Sequence, residues 1–586
     1  MVKVSDVITN FLIQNEIEVV FGIIGSANAH IFNSIQNSNK IKLVAVHHEQ
    51  VAVMAMGAYY RSTGKQAVAL VTAGGGSSNA LTGVISNWAD SIPGIILCGQ
   101  EQSYYMEEYK DMRMYGIQGY RTTDVYASCT KMAKTITSSN VYDLMSTAFD
   151  LTTDGRPGPV LLEIPFDVQG QMIDEKPIVS STKKSHYLET TKKYAEIILQ
   201  NLSNSKRPVI IAGHGVKLSK SEEYLLQFLE KTKIPTILTW SSIDLLHDTH
   251  ESNFGRSGVQ GQRSSNFIVQ NSDLLIVLGS RLSLLQTGYS RDEFAPNAKI
   301  IHIDIDPSET HKFSDININE DVNPILQNLL KLIGDVDIDI SEWLSYCNSV
   351  RDEFPRLMPE HLQDPTNSYT FIETLSDKLD DNYTIVTDMG TALLSGFYGF
   401  KVKKNQKFFT SLGLGEMGYG IAAAVGAGFG DRPVMCLNCD GGMMMNLQEL
   451  QTIKSNNLPV KIVIFNNDGY LMIKHTQNMM FAGQRTCVDK STGLELPDYK
   501  KIADAFGYEY FTTEQLDEFL KFDGHAFLEV FMDPNQEFIP KVRGIKNSDN
   551  KITPGLLEDM YPLLPLETIE SVMISRINDR SKTFAR

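Results

Sequence analysis

Short apolar runs and amphipathic stretches alternate along residues 1 to about 170. Val4 to Gln14 has helical spacing, and Val19-Val20-Phe21 has the pattern of a strand. Residues 43–50 predict a strand that ends on a carboxylate, a helix rich in small residues follows at 52–61, and another strand follows at 67–71. Strands that alternate with helices predict a parallel sheet covered by helices on both faces.

The same alternation recurs in two further segments of the chain. The second contains apolar runs at 209–212, 236–239, 274–278 and 299–305, and the third begins with a helical pattern at 369–380 and a strand at 383–387. Polar stretches at 175–193 and 345–366 have the composition of linkers. We therefore predict an α/β fold of three doubly wound domains with mostly parallel sheets. Their boundaries are 1–172, 190–342 and 366–540, and an irregular tail at 541–586 could be a lid or a subunit contact.

Residues 434–470 give the most specific pattern: strand, glycine-containing turn, helix, strand. The first apolar run leads into Cys439-Asp440-Gly441-Gly442, and the second ends on Asn466-Asn467-Asp468-Gly469. Adjacent glycines let the backbone approach a diphosphate, and the following helix turns its unpaired amides toward it. Asp440 and Asn467 would end two neighbouring parallel strands, where oxygen ligands can converge on Mg²⁺. An ordinary strand-turn-helix of an α/β domain is the alternative interpretation.

Composition and charge narrow the class of protein. The 586 residues are 42% hydrophobic and 21% charged, which is typical of a globular chain. A net charge of -17 disfavours nucleic acid as a partner. Asp6, Glu16 and Glu18 interrupt the N-terminal apolar pattern, unlike a signal peptide, and no apolar run approaches the ~20 residues of a membrane span, so we expect a cytoplasmic protein. Cys436 and Cys439 have no second cysteine pair beside them, and Cys436 lies in a strand, which favours a buried structural thiol.

The turn at 439–442 and the Asn-Asn pair resemble the thiamin-diphosphate signature, Gly-Asp-Gly followed at a set distance by Asn-Asn. Cys439 departs from it, because a glycine is usual there. The resemblance implies that Asp440, the Asn467 side chain and the Gly469 carbonyl hold Mg²⁺ on the cofactor's diphosphate. It also implies cofactor contacts from Gly441 and Gly442.

The N-terminal segment contains, in order, F-G-x-x-G, H-E-Q, G-K, T-x-G-x-G-x-x-N and D-S-I-P. This order resembles the pyrimidine-binding domain of the acetolactate synthase branch of thiamin-diphosphate enzymes. The resemblance implies that Glu49 is the catalytic acid on the aminopyrimidine, that Gly25 and Asn79 bind the cofactor, and that Gln118 faces the site. The loop 101–120 lacks the histidine pair that pyruvate decarboxylases carry there, and His47-His48 is not its equivalent, which favours carboligation over simple decarboxylation.

Two more regions take expected roles from the same resemblance. The turn 388–391 and the segment 409–420 imply cofactor contacts from Gly390, Thr391 and Gly415, with Met417 pushing under the cofactor to bend it. The central domain, with N-S-D-L-L-I-V-L-G-S-R and H-I-D-I-D-P, is similar to the FAD-binding domain of acetolactate synthases. Arg281 and Asp304 would then contact the flavin nucleotide, although related central domains have lost it.

The resemblance implies a homodimer or homotetramer, because the cofactor bridges domains of two chains. It implies decarboxylation of pyruvate and transfer of the two-carbon unit to a carbonyl acceptor. Segments 261–263, 469–477 and 557–562 resemble carboligases of surface-polysaccharide clusters, such as that of yersiniose biosynthesis, so the acceptor is either a 2-oxo acid or a nucleotide-linked keto-sugar. Alternatives are a flavin-dependent pyruvate oxidase, an acetyl transfer to phosphate like that of sulfoacetaldehyde acetyltransferase, and a non-catalytic nucleotide-binding or regulatory subunit.

Overall fold

The computed structural model describes residues 1–177, 188–335, 338–362, 364, 366–546, 551–584 and 586. The chain forms two compact units. One comprises Met1–Lys184, Asn382–Leu393 and Phe409–Pro534, and the other comprises Ser185–Asp381, Leu394–Phe408 and Asn535–Arg586. Residues 178–187 of the first expected linker lie outside the described residues.

The N-terminal sheet of the first unit has six parallel strands. The four inner strands are buried on both faces, so they read as continuous hydrophobic runs rather than alternating ones. In sheet order the strands are Lys42–Ala45, Val19–Gly22, Val68–Val71, Gly94–Gln100, Pro159–Pro165 and Ala133–Thr135. Its main helices are Val4–Gln14, Ala29–Ser38, Glu49–Thr63, Leu81–Ala89 and Val141–Thr153.

The second sheet of this unit contains the two strands of the 434–470 pattern. In sheet order its strands within this unit are Thr384–Thr387, Val434–Cys439, Val460–Asn466, Ala526–Phe531 and Glu509–Thr512. Its helices are Tyr419–Ala427, Asp440–Met443, Glu449–Ser455, Leu471–Met480, Tyr499–Phe506 and Leu516–Lys521. Helix Thr391–Gly399 and strand Lys407–Phe409 each have residues in both units. Val434–Cys439 pairs in parallel with Val460–Asn466, so the predicted neighbouring strand ends are confirmed.

Small residues join the two sheets of the first unit. Helix Glu49–Thr63 packs against helix Tyr419–Ala427, and both are almost entirely buried. A Cβ at Gly426 would overlap the carbonyl oxygen of Ala55 and lie 2.7 Å from its Cα. The close backbone approach expected of the small-residue helix is therefore confirmed.

The central sheet belongs to the second unit and is fully parallel. In sheet order its strands are Thr236–Leu238, Pro208–Ala212, Leu274–Leu278, Lys299–Ile303 and Ile316–Ile318. The main helices are Leu188–Asn204, Glu222–Thr232, Arg263–Asn271, Val322–Leu332, Ser341–Glu353 and Ser368–Lys378. The three parallel α/β sheets confirm the predicted fold class.

Two expectations about connecting segments need correction. Helix Leu188–Asn204 begins inside the first expected linker, and helix Ser341–Glu353 covers much of the second. The tail contains an antiparallel pair, Gly544–Lys546 with Ile552–Pro554, and a helix, Leu566–Val572. It packs along helix Arg263–Asn271, where the Asn266 amide donates to the Leu557 carbonyl at 3.0 Å. In the part of the chain that the structure describes, no helix has the length and apolar character of a membrane span.

Candidate active site

Asp440 lies where the strand Val434–Cys439 ends and is 1% exposed. Its carboxylate accepts three backbone amides: Gly441 at 2.7 Å, Asn467 at 2.9 Å and Gly469 at 3.1 Å. Burial raises the pKa of Asp440 to about 6, although these amides act in the opposite direction. The carboxylate thus fixes the turn at Gly441 to the neighbouring strand end.

Asn467 provides a test of whether this loop fits a metal ion. Its amide nitrogen donates to the Thr391 hydroxyl at 3.2 Å, while its Oδ1 is buried and has no hydrogen-bond partner among the described residues. A buried amide oxygen without a partner is costly, and a hard cation such as Mg²⁺ would satisfy it. The Gly469 carbonyl accepts the amide of Leu471 at 3.2 Å and has a second lone pair for a metal. The Asp440 carboxylate, the Asn467 side-chain oxygen and the Gly469 carbonyl together fit Mg²⁺. Only one of these three groups is a carboxylate. The described residues contain no group of three or more His, Cys, Asp or Glu side chains that could hold a metal.

The loop 467–469 is held in its conformation by two further contacts. Asp468 and Gly469 have positive φ angles of 55° and 123°, and a Cβ at Gly469 would overlap the Val488 carbonyl oxygen. The buried Lys474 ammonium donates to the carbonyls of Asn467 at 3.2 Å and Asp468 at 2.9 Å. These contacts hold the predicted metal ligands Asn467 and Gly469 in place.

The two glycines of the turn are required by neighbouring side chains. A Cβ at Gly441 would lie 2.7 Å from Cδ1 of Tyr470 and 3.5 Å from Cε of Met417. A Cβ at Gly442 would overlap Oδ2 of Asp388 and lie 2.9 Å from its Cγ. The Tyr470 ring and the Met417 methyl group therefore both lie against Gly441, and Met417 is 37% exposed beside it.

Asp388 holds the start of the segment that follows Met417. Its Oδ1 accepts the amides of Gly418 at 2.7 Å and Gly420 at 3.3 Å. Its Oδ2 is buried and has no hydrogen-bond partner in the described part of the chain. Burial raises the pKa of Asp388 to about 7. Gly415 and Gly418, on either side of Met417, have φ angles of 77° and 87°, which explains why glycines bracket it.

Cys439 occupies a defined position between the two cofactor loops expected from the sequence. Its thiol lies 3.0 Å from the Met389 carbonyl, to which it donates, and it accepts the Ala392 amide at 3.2 Å. Gly390 and Thr391 lie between those two residues, and a Cβ at Gly390 would lie 3.5 Å from the sulfur. Burial raises the pKa of the Cys439 thiol well above its ordinary value. Cys436 is buried in the strand and both cysteines are free, so the prediction of a structural thiol at Cys436 is confirmed.

Glu49 lies in the N-terminal half of the unit and is 7% exposed. It is the first residue of helix Glu49–Thr63 rather than the end of a strand, because the preceding strand stops at Ala45 and the His48 side chain caps the helix by accepting the Gln50 amide. The Asn79 side-chain amide donates to Glu49 Oε2 at 3.0 Å. A Cβ at Gly76 would lie 3.2 Å from Oε1. The two predicted residues Glu49 and Asn79 are therefore in direct contact.

Gly25 and Gln118 both lie against the segment 72–74 of the N-terminal domain. A Cβ at Gly25 would lie 2.5 Å from the Thr72 hydroxyl oxygen, which is buried and lacks a hydrogen-bond partner among the described residues. A Cβ at Gly74 would lie 3.0 Å from Cβ of Gln118. Gln118 is exposed, and its backbone amide donates to Glu101 Oε1 at 2.9 Å. The Ile117 amide donates to the same oxygen at 3.1 Å, so Glu101 shapes the loop that carries Gln118.

The central domain brings Arg281 and Asp304 to the carboxyl ends of adjacent strands, Leu274–Leu278 and Lys299–Ile303. Arg281 is exposed, and its carbonyl accepts the Lys312 ammonium at 2.8 Å. The glycine turns beside them are explained by packing, because a Cβ at Gly213 would lie 2.7 Å from the Gly279 carbonyl carbon. Those glycines therefore give no separate support for a nucleotide.

The helix predicted to begin at Tyr470 and to contain Lys474 was expected to overhang the active site, but the sequence did not predict that Tyr470 lies against Gly441 or that Lys474 holds the loop 467–469. No role was predicted for Asp388 or Glu101. The Asp388-x-Gly turn after a strand offered a signal for Asp388, whereas the role of Glu101 depends on contacts through space.

Comparisons with known proteins agree with this arrangement. Residues 2–136 match the family described as "Thiamine pyrophosphate enzyme, N-terminal TPP binding domain", residues 195–329 match the corresponding central domain, and residues 388–530 match the C-terminal TPP binding domain. The isozyme 2 acetolactate synthase large subunit of Escherichia coli is 31% identical over 91% of this chain and 96% of its own length. The isozyme 1 large subunit of the same organism is 31% identical over 92% and 95%. A probable acetolactate synthase large subunit of Methanococcus aeolicus is 33% identical over 84% of each chain.

Proposed function

Because the chain belongs to the thiamine pyrophosphate enzymes, in the acetolactate synthase-like branch, we propose that it is a thiamin-diphosphate-dependent carboligase. It decarboxylates pyruvate and transfers the two-carbon unit to a carbonyl acceptor. The observation that carries the proposal is the loop 467–469, where the unpartnered Asn467 oxygen lies in the segment bound to the Asp440 carboxylate. That loop has the ligands a diphosphate-bound Mg²⁺ needs.

Thiamin diphosphate, when bound, supplies a thiazolium carbon that adds to the carbonyl of pyruvate and accepts the electron pair left by carbon dioxide. Asp440, Asn467 and the Gly469 carbonyl would hold Mg²⁺ against its diphosphate. Glu49 would hold a proton at the aminopyrimidine nitrogen, and its hydrogen bond from Asn79 leaves Oε1 for that contact. Met417 would orient the rings from its position over Gly441.

Retention of the two-carbon unit for an acceptor is supported by the composition of the loop 101–120. It contains no histidine that could protonate the decarboxylated unit and release an aldehyde. Gln118, held by Glu101, would face the substrates instead. The acceptor is a 2-oxo acid or a nucleotide-linked keto-sugar.

FAD in the central domain and a homodimer or homotetramer belong to the same proposal. Support for FAD is the position of Arg281 and Asp304 at adjacent strand ends and the likeness of the central domain to that of acetolactate synthases. An absorption spectrum of the purified protein tests for flavin. Sedimentation with and without cofactor tests for a dimer or tetramer.

The decisive experiment incubates the purified chain with thiamin diphosphate, Mg²⁺, labelled pyruvate and candidate acceptors, and identifies products by mass. We expect carbon dioxide release and an acceptor heavier by the labelled two-carbon unit. Glu49→Gln should abolish the product, whereas Glu230→Gln, a control at an exposed glutamate of helix Glu222–Thr232 in the central domain, should not. Full activity in Glu49→Gln, or no affinity for the cofactor with Mg²⁺, would refute the proposal. Oxygen consumption with pyruvate alone would favour an oxidase, and formation of acetyl phosphate would favour acetyl transfer to phosphate.

A further inference from the structure

A buried glutamate that the proposed mechanism does not use lies near the carboxyl ends of two neighbouring strands. Glu163 is 1% exposed in strand Pro159–Pro165, which pairs in parallel with strand Gly94–Gln100. Its Oε1 accepts the Gln100 side-chain amide at 2.6 Å, and its Oε2 accepts the Thr135 hydroxyl at 2.8 Å. Burial raises the pKa of Glu163, while these hydrogen bonds lower it. The buried carboxylate therefore depends on Gln100 and Thr135 to offset its loss of water.

Gln100 links this carboxylate to both ends of the loop 101–120. Its Nε2 also donates to the Tyr120 carbonyl and the Thr122 hydroxyl, both at 3.1 Å, and its Oε1 accepts the Glu101 backbone amide at 2.9 Å. Because a carbonyl can only accept and a backbone amide can only donate, the two ends of the Gln100 amide cannot be exchanged. Gln100 is fully buried, so one oriented side chain holds the first and last residues of the loop.

Contacts inside the loop carry this anchoring to Gln118. Glu101 Oε1 accepts the backbone amide of Gln118 at 2.9 Å. Tyr115 and Gly119 exchange backbone hydrogen bonds at 3.0 Å in both directions, and the Tyr115 hydroxyl donates to the same Tyr120 carbonyl that Gln100 holds. The turn that carries Gln118 is therefore attached to the residues at both ends of the loop.

Gln118 and Glu49 lie against one short segment, residues 74–76. A Cβ at Gly74 would lie 3.0 Å from Cβ of Gln118, and a Cβ at Gly76 would lie 3.2 Å from Oε1 of Glu49. Both residues belong to the N-terminal domain. In the proposed function they would therefore face the same cofactor, whichever chain supplies the diphosphate-binding domain.

We propose that Gln100 is a positioning residue, oriented by Glu163, that sets the loop 101–120 so that Gln118 faces the substrates. The inference rests on the proposed function, which brings pyruvate to this loop. Gln100→Met keeps the length of the side chain and removes its hydrogen bonds to the loop. It also leaves the buried Glu163 carboxylate without one of its donors, so this variant should unfold at a lower denaturant concentration. Adding Glu163→Met removes that carboxylate, so stability should return toward the wild-type value without restoring the loop contacts.

The test compares Gln100→Met, the double variant with Glu163→Met, and Glu163→Gln with the wild type in the cofactor-loaded enzyme. The readouts are KM for pyruvate in carbon dioxide release, cofactor affinity with Mg²⁺, amide hydrogen exchange of residues 115–120, and exchange of the cofactor's C2 proton with deuterium, which reports on Glu49. Denaturant unfolding of each chain measures its stability.

We expect KM to rise about fivefold or more in Gln100→Met and in the double variant, because a misplaced loop no longer orients the substrate. The amides of residues 115–120 should exchange faster in both. Cofactor affinity and C2 exchange should stay within about twofold of the wild-type values, because Glu49 keeps its hydrogen bond from Asn79. Glu163→Gln keeps an acceptor for Gln100 and can donate to the Thr135 hydroxyl, so its KM should equal that of the wild type.

Gln66→Met is the matched control, because Gln66 is a half-buried glutamine of the same domain whose amide donates to the Thr152 hydroxyl at 3.1 Å. Its KM and its loop exchange should equal those of the wild type. If KM returns to the wild-type value in the double variant together with stability, Gln100 acts only through folding and the inference is overturned. An unchanged KM in Gln100→Met, or C2 exchange that falls as far as KM rises, would overturn it as well.

Failure of the proposed function has a different signature. If the wild type releases no carbon dioxide from pyruvate, the proposed function is wrong. Amide exchange of residues 115–120 then decides whether Gln100 holds the loop: faster exchange in Gln100→Met supports the anchoring, and unchanged exchange overturns it.

Discussion

Replacement of Gly442 by alanine tests whether Asp388 shapes the candidate site. The added Cβ would overlap Asp388 Oδ2 and lie 2.9 Å from Cγ, so the carboxyl group has to turn away. Its Oδ1 would then lose the amides of Gly418 and Gly420. Overpacking of a buried site costs about 1–3 kcal/mol, and each lost hydrogen bond costs roughly 0.5–1.5 kcal/mol, so we expect a loss of roughly 2–6 kcal/mol.

Denaturant unfolding of the cofactor-free chain measures this loss, and calorimetric titration measures the affinity for thiamin diphosphate with Mg²⁺. Both should fall in Gly442→Ala. Gly334→Ala is the control, because a Cβ there would meet nothing within 4 Å. In an Asp388→Ala background the clash is absent, so Gly442→Ala should cost much less there. If Gly442→Ala unfolds at the wild-type denaturant concentration, or costs the same in both backgrounds, the role given to Asp388 is wrong.

Three further predictions concern the same unit. Asp388→Asn should change the pH dependence of unfolding. The folded state raises the pKa of Asp388 to about 7, so the stabilising contribution of its protonated form is complete below about pH 4 and is lost as the pH rises to 7. This contribution is up to about 4 kcal/mol. Between pH 4 and 7 the free energy of unfolding of the wild type should therefore fall relative to that of the variant. Cys439→Gly should weaken cofactor affinity about tenfold, because it removes both sulfur contacts beside Gly390, whereas Cys439→Ser should retain most of it. Glu101→Ala should raise KM for pyruvate several-fold with cofactor affinity unchanged, because it frees the amides of the loop that carries Gln118.

Each of these has an outcome that contradicts it. A constant stability difference between Asp388→Asn and the wild type from pH 4 to 7 would show that folding does not raise the pKa of Asp388. Equal cofactor affinity in Cys439→Gly and the wild type would mean that the thiol does not hold the diphosphate loop. A Glu101→Ala enzyme with weaker cofactor binding and an unchanged KM would place its effect elsewhere.

The positions of Asp440 and Asn467 could be predicted because apolar runs reveal the strands of a parallel sheet, and the carboxyl ends of neighbouring strands meet at one edge. The start of the helix at Glu49 was harder to predict. The apolar run through Val46 suggested a longer strand, whereas the capping His48 ends it.

Contacts between distant segments account for what the sequence could not predict. Gly442 was expected to make room for a diphosphate, yet the side chain against it is Asp388, 54 positions earlier in the chain. Residues 345–353 of helix Ser341–Glu353 fell within the segment 345–366, which was predicted to be a linker because it is polar and contains three prolines. The buried Trp343, Cys347 and Val350 of this helix follow helical spacing, so that signal was present but short.

The contact between Gly426 and Ala55 restricts how this protein can diversify. A larger side chain at either position would wedge apart the helix that begins at Glu49 and the helix that follows Met417, so substitutions there would displace two segments that carry predicted cofactor residues. New acceptors must therefore be accommodated by peripheral segments such as 101–120, whose exposed positions tolerate substitution. The closely packed helix pair conserves the reaction, while the exposed loops allow the acceptor substrate to change.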